Sequence, residues 1–431
     1  MEITWKNQLK LVLPSLKRPL ERSGFKSEGM SGILRELKQQ VCSSIDQARD
    51  KLHRLGTAIW HCPELAYKER QSHDILVWNV EPHFKLDTAF RASWGPVGGS
   101  DSDPTVNIGF LCEYDARPGI GHACDHNLTA EAGAVAAVGL RAALKSVADR
   151  PVHVTVLGTP AEEEGGRKTD LLREGAFEDV DVVLMAHPSQ EDATYIPDVA
   201  EHDVVVKYHG RASHASAYPC EGVNALDAAV MAYSNLSVLR QQLRPDWRIH
   251  GIIKHGGVKP NNVPDYSELE YYLRTPSHRD LATIRAKVEA CFRAAAMATG
   301  CEVSWLSANE FYEILRNHTL EGLYEENGNT LITCTLFMVS LFLTSGSSDF
   351  GNVTHEYTAA SEKAQFFTLR AAKALAMTAV DVLFGPGVLE RVRKEFTEAK
   401  VIEEEGLKRQ QKKHAEAEPN KSQDATTYNT V

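Results

Sequence analysis

The chain has 431 residues, more than one ordinary hydrophobic core organises, so two domains with extensions are expected. Hydrophobic residues make up 43% and charged residues 24%, the balance of a globular protein in water. A net charge of −11, with no long basic run before the C-terminal tail, argues against nucleic acid as a partner.

Residues 1–30 mix apolar and basic residues with Pro and Gly and read as an N-terminal extension. The first twenty lack the continuous apolar core of a secretory signal. The eight cysteines are scattered without a framework spacing, so reduced thiols and a cytoplasmic location are expected. From Ile33 to about Leu55 the apolar spacing is helical, and a second helical stretch follows Pro63-Glu64-Leu65. Residues 106–116 (VNIGFLCEYDA) form a short buried strand that ends in acids. Then come a helix at 128–145, a strand at 152–158, a helix at 167–177 and a strand at 180–186. Strand and helix in alternation predict a mostly parallel sheet with crossover helices, an α/β fold.

Beyond about residue 200 the pattern changes. Residues 203–210 alternate as a strand, 224–243 form a long amphipathic helix, and 248–257 and 267–276 are two more strands. A helix at 278–298 and a strand at 301–306 complete a split βαβ arrangement, read as a separate α+β domain. Helices return at 359–383 and 386–404, and the charged tail beyond is expected to be disordered. The apolar run 331–343 (LITCTLFMVSLFL) is shorter than the roughly 18–20 residues that span a bilayer, so it reads as buried and no membrane partner is expected.

The chemistry gathers after the strands. Residues 121–127, GHACDHN, place Cys124 and His126 two apart just beyond Glu113 and Asp115. Glu162, Glu163 and Glu164 follow the second strand, and His187 ends the third. All sit beyond strand carboxyl ends, where open parallel sheets bind ligands. GHACDHN by itself fits a metal site, a Cys124 thiol nucleophile or a plain polar loop. Glu163 and His187 add donors suited to Zn or a related divalent ion, which favours metal. In TPAEEEGG one carboxylate can bind metal while its neighbour takes a proton from activated water.

These residues resemble metallopeptidase family 20, the aminoacylase, dipeptidase and amidohydrolase group. Within it they resemble most the branch of p-aminobenzoyl-glutamate hydrolase and the β-alanyl-lysine dipeptidases. HCPELAYKE, FLCEYDARPGIGHACDHN, GTPAEE, LMAHP, YHGRASHASAYPCEGVNALDA, HGGVKPNNVPDY and SSDFGNV carry the resemblance, from about Gly32 to Glu398. It implies a catalytic domain in two parts, 31–200 and 309–404, around an inserted lid and dimerisation domain at 201–308, with a disordered tail at 405–431. It further implies up to two divalent ions, Zn with Mn or Co as alternatives, held by Cys124, His126, Glu163 and His187. Glu162 would be general base and acid; His214 would steady the oxyanion; Asn262 and Arg274 would contact the substrate. A homodimer hydrolysing a small peptide or N-acyl amino acid is the function so implied.

The chain departs from the family in places. Asp125 and Glu164 stand where Gly is usual, and a Gly at 125 would serve a tight backbone conformation. After SSDFGNVTHEY, Tyr357 runs straight into TAASEKAQ, without the family's segment that delivers a final His ligand; His355 is the nearest histidine. A missing exon and a retained intron would account for that gap and for the run 331–343. The rival expectation is therefore a catalytically impaired homologue, a metal-binding or dimeric scaffold.

Overall fold

The computed structural model describes residues 30–76, 81–96, 105–147, 151–188, 194, 199–331 and 362–417. The apolar run 331–343 beyond its first residue, the segment SSDFGNV and His355 lie outside them. The chain divides into two compact units; Pro197–Arg316 of the second is inserted in the first, and the second also takes the residues from Phe396.

The first unit opens with α1 (Met30–Trp60) and α2 (Arg70–Leu76). A short antiparallel ribbon follows, β1 (Glu81–Pro82) and β2 (Phe90–Trp94), and then β3 (Val106–Cys112). Next come α3 (His126–Leu144), β4 (Val152–Gly158), α4 (Glu162–Gly165), α5 (Arg167–Arg173) and β5 (Val182–Leu184). The sheet order is β1-β2-β4-β3-β5. β3 pairs parallel with both β4 and β5, as the alternation predicts, whereas β2 joins β4 antiparallel. The sheet is thus mixed, a parallel centre with an antiparallel border.

Register explains where the acids end up. Cys112 lies opposite Gly158, and Phe110 opposite Leu184, so all three parallel strands stop at one edge. Behind that edge α3 packs unusually close. A Cβ at Gly133 would come within 2.3 Å of the Leu111 carbonyl, and one at Gly139 within 2.7 Å of Ile45 on α1. Two small residues therefore let one Ala-rich helix lie between strand and helix. The core joins Leu37, Val41 and Ile45 to Ile108, Phe110, Val135 and Leu140. At about 25 cal/mol per Å² of apolar surface buried, such clusters supply most of the drive to fold.

The second unit contains β6 (Ala200–His209), β7 (Ser213–His214), α6 (Ala225–Leu239), β8 (Arg248–His255), β9 (Asn262–Val263), β10 (Tyr266–Thr275), α7 (His278–Thr299) and β11 (Glu302–Phe311). Its four-stranded antiparallel sheet runs β11-β6-β10-β8, and β7 and β9 form a separate ribbon. Asn224 caps α6 by accepting from the Leu226 and Asp227 amides, and Ser277 caps α7 through Arg279 N–H. The helices bury Ala228, Ala232, Leu236, Ile284 and Phe292 against Val206, Tyr208 and Leu269.

The chain then re-enters the first unit with α8 (His318–Thr330) and α9 (Glu362–Phe384), before α10 (Val388–Ala417). Leu375, Ala376 and Val380 of α9 join the core of α1 and α3. Residues 347–395 group with the first unit and those from Phe396 with the second. The tail needs correcting. Residues 405–417 continue α10 rather than being disordered, because Glu, Lys, Arg, Gln and Ala favour helix even without a core, and Glu405 pairs with Arg409 one turn on at 3.4 Å. Among the described residues no single helix is long and apolar enough to cross a membrane.

Candidate metal centre

Five titratable side chains of the first unit meet at the sheet edge: Glu113, His126, Glu162, Glu163 and His187. Ligand atoms of Glu113, His126 and His187 lie within 4.8 Å of one another, and so do those of His126, Glu162 and Glu163. His126, the first residue of α3, belongs to both sets and is buried.

Asp115 aims this histidine. Its Oδ1 is 2.9 Å from His126 Nδ1, while its Oδ2 accepts the Glu163 amide at 2.9 Å. A carboxylate on Nδ1 fixes a proton there and turns Nε2 inward, the arrangement that prepares a histidine for metal. Nε2 is buried without a hydrogen-bond partner, and so is Glu113 Oε2, 3.6 Å away. Two orphaned polar atoms facing each other are costly unless a third group joins them. A divalent cation with N and O ligands at about 2.0–2.2 Å fits that need.

The acids are oriented in matching ways. One oxygen of Glu113 is bonded to the Lys168 ammonium on α5, and its other oxygen faces His126. Glu163 places Oε2 2.7 Å from Arg117 and Oε1 3.9 Å from His126 Nε2. Each carboxylate thus has one oxygen anchored by a cationic side chain and the other turned to the same nitrogen. Glu162 Oε2 is also 3.9 Å from Nε2, but its side chain is 43% exposed.

These charges shift one another. Burial disfavours the Glu113 carboxylate, but Lys168, His126 and His187 outweigh it and hold the group below its ordinary range. Burial also opposes a charged His126, yet Glu113 and Asp115 push it up to about 10. Desolvation, with the Glu113 charge, raises Glu162 to about 7.

Backbone geometry brackets the two acidic segments. Asp125 precedes α3 with φ 54°, and Ala161 precedes Glu162 with φ 54°. The first is the tight left-handed turn for which Gly would serve, and Asp takes it better than most residues.

Of the residues singled out from sequence, the structure brings together His126, Glu162, Glu163 and His187. Cys124 is buried in the preceding turn, within electrostatic reach of Arg117, but outside both groups of ligand atoms. Glu113 joins His126 and His187 in one of those groups. Sequence reasoning marked Glu113 and Asp115 only as acids at a strand end and passed over Arg117 and Lys168. An acid-x-acid pair after a strand, and a Lys one turn beyond an acidic triplet, were the available signals. Glu164 contributes backbone to α4.

In the second unit His214 and Asn262 face each other across the β7–β9 ribbon. His214 Nδ1 accepts from the Ala217 amide at 3.2 Å, which places the ring proton on Nε2. Arg274 is buried on β10, 2.7 Å from Glu201 on β6.

Comparison with known proteins identifies the family. Residues 202–299 match the M20 peptidase dimerisation domain. The chain is 53% identical to the Xaa-Arg dipeptidase of Mus musculus, covering 91% of this chain and 99% of that one. It is 28% identical to a p-aminobenzoyl-glutamate hydrolase polypeptide of Escherichia coli, over 67% of this chain and 64% of that one. A dinuclear metal-binding M20 peptidase of Bacillus subtilis shares the fold, with TM-score 0.54 at 16% identity over 78% and 99% of the two chains. The chain belongs to the M20 family of metallopeptidases.

Proposed function

We propose that this enzyme is a metal-dependent dipeptidase that cleaves a small dipeptide, with a basic C-terminal residue such as Arg as the favoured class. The pair of buried, unpartnered atoms, His126 Nε2 and Glu113 Oε2, carries the metal reading. The Xaa-Arg dipeptidase relative supports the substrate class, and N-acyl amino acids are the wider class to compare. His126, Glu163 and His187, with Glu113, would hold up to two divalent ions; N and O donors suit Zn, with Mn and Co compatible. When bound, the ion supplies a Lewis acid that makes water acidic enough to attack an amide near neutral pH.

The chain's own residues do the rest. Glu162 takes the proton from the attacking water and passes it to the amide nitrogen as the C–N bond breaks, so a carboxylate and an amine leave. Arg117 and Lys168 hold Glu163 and Glu113 still. In the second unit His214 presents an Nε2–H donor suited to an oxyanion, and Asn262 beside it suits a substrate carboxylate or carbonyl. Arg274, anchored on Glu201, is assigned to the same carboxylate. Apolar side chains exposed on α6 and β8 (Val230, Val238, Ile252) support a homodimer through this unit. The scattered thiols suit a cytoplasmic setting.

One observation favours the impaired reading. The alignment with the mouse relative spans 433 positions but only 91% of this 431-residue chain, so the relative carries positions this chain lacks. Elemental analysis of the purified chain, with hydrolysis of Arg-ending and Lys-ending dipeptides and N-acetyl amino acids, decides between them. Bound metal and turnover that disappears in Glu162→Ala supports the dipeptidase. No metal and no turnover under Zn, Mn or Co sinks it in favour of the scaffold.

A further inference from the structure

The segment HCPELAYKE supplies none of the clustered ligand atoms. Its last residue, Glu69, is completely buried just before α2. Its Oε1 accepts the Ala161 amide at 2.7 Å, and its Oε2 accepts the Thr88 hydroxyl at 3.0 Å. Thr88 is held in turn, since its carbonyl accepts the buried Tyr114 hydroxyl. A carboxylate buried on neutral donors is an expensive choice where an amide or an apolar side chain would fill the space.

At the other end of that hydrogen bond lies a second costly feature. Ala161 has φ 54° and ψ 48°, a conformation that residues other than Gly, Asn and Asp rarely take. Such strain persists only where the surroundings over-determine it. Here it turns the chain out of β4 and into α4, so that Glu162 is the first helical residue. On the far side of Glu162 the Glu163 amide is tied to Asp115. Two carboxylates from different parts of the first unit therefore clamp the amides on either side of Glu162.

We propose that Glu69 is a positioning residue: by pinning the Ala161 amide it maintains the left-handed turn that sets the Glu162 carboxylate at the metal centre. This rests on the reading of Glu162 as the proton-transfer group. Glu64, in the same segment, acts differently, for its two oxygens accept the Gln71 and Ser72 amides and cap α2.

Two conservative variants of the full chain separate pinning from charge. Glu69→Gln keeps an acceptor oxygen within reach of Ala161 and removes the charge. Glu69→Asp keeps the charge and withdraws it by one methylene. The readouts are hydrogen exchange at the amides of Thr159 and Ala161 to Glu163, Zn titration, and kcat and KM for an Arg-ending dipeptide. Glu69→Asp is expected to speed exchange at Ala161 about tenfold or more. It should lower kcat roughly 10- to 100-fold, with KM and Zn affinity little changed. Glu69→Gln should stay within a few-fold of wild type. Adding Ala161→Gly to Glu69→Asp should restore part of kcat, because glycine takes the turn unaided. Unchanged exchange in Glu69→Asp, or a larger loss in Glu69→Gln than in Glu69→Asp, overturns the proposal. Glu162→Gln, run in parallel, tests the separate reading: retained turnover there removes Glu162 as the proton carrier, while exchange at Ala161 still reports on the pin.

Discussion

His126 and Asp115 form a buried pair in which Nδ1 of the ring lies 2.9 Å from Oδ1 of the carboxylate. That contact leaves Nε2 as the ring's only unpartnered nitrogen and directs it at Glu113, Glu162 and Glu163. Asp115→Asn keeps the shape but no longer enforces the tautomer. Affinity for Zn, measured by titrating the metal-free chain, should fall about 10- to 100-fold. An unchanged affinity would separate Asp115 from the metal centre.

The same pair sets how binding depends on pH. In the metal-free chain Glu113 and Asp115 raise His126 to about 10, against the opposing effect of its burial, so it carries an extra proton at neutrality. A cation on Nε2 must displace that proton. Affinity for Zn should therefore rise with pH, by about tenfold per unit between pH 6 and 8, with one proton released per ion. Calorimetry in buffers of different ionisation enthalpy counts the protons. A flat profile would mean that Nε2 is not a ligand.

Glu162 is set apart from its neighbours by exposure and by having neither Arg117 nor Lys168 bonded to it. Glu162→Gln should lower kcat roughly 10²- to 10⁴-fold while leaving bound metal intact. Loss of metal alongside activity would recast Glu162 as a ligand.

Asp125 is buried, and desolvation raises it to about 7 despite the pull of His126. Unfolded, it would titrate near its ordinary value of 3.8. The folded state therefore holds its proton more tightly. The stability this contributes is complete below pH 3.8 and is lost as the pH rises through about 7. Asp125→Asn keeps a residue that accepts the left-handed turn and removes the charge. In the metal-free chain it should stabilise at pH 8 by on the order of 1–4 kcal/mol and hardly at all at pH 4, as denaturant melts at both values would show.

Gly133 governs how close α3 comes to β3, and so how far His126 stands from the acids that follow that strand. Gly133→Ala would place its Cβ 2.3 Å from the Leu111 carbonyl, with Cys112 Sγ at 2.8 Å. A loss of about 1–3 kcal/mol of stability is expected, together with weaker Zn binding. Stability lost with normal Zn binding would show that the site tolerates movement of the helix.

Much of this architecture was legible because its signals are local and repeated. The alternation from Val106 to Ala186 announces parallel strands, and the second unit's element order follows from its hydrophobic periods. The β1–β2 ribbon was missed because FRASW is short and shows no alternation long enough to read. α8 was missed because HTLEGLYEENGNT carries few apolar residues, and Asn317 caps it from outside that pattern. Strand ends located the site, but the ties within it depend on tertiary register. Nothing near Asp115 in sequence shows that one carboxylate oxygen serves His126 and the other Glu163. Nothing near Glu69 points to Ala161, 92 residues on.

The insertion of one unit within the other also bears on how the molecule is made. Helix α9, which completes the apolar packing of α1 and α3, follows the inserted segment Pro197–Arg316 in the chain. During synthesis the inserted segment Pro197–Arg316 carries its own sheet and core in contiguous residues, whereas the first unit emerges with greasy helix faces that wait for a late partner. High contact order slows such closure and leaves the intermediate open to association. A nascent chain stopped before Glu362 should therefore engage chaperones through its N-terminal half, while the inserted unit is already resistant to protease.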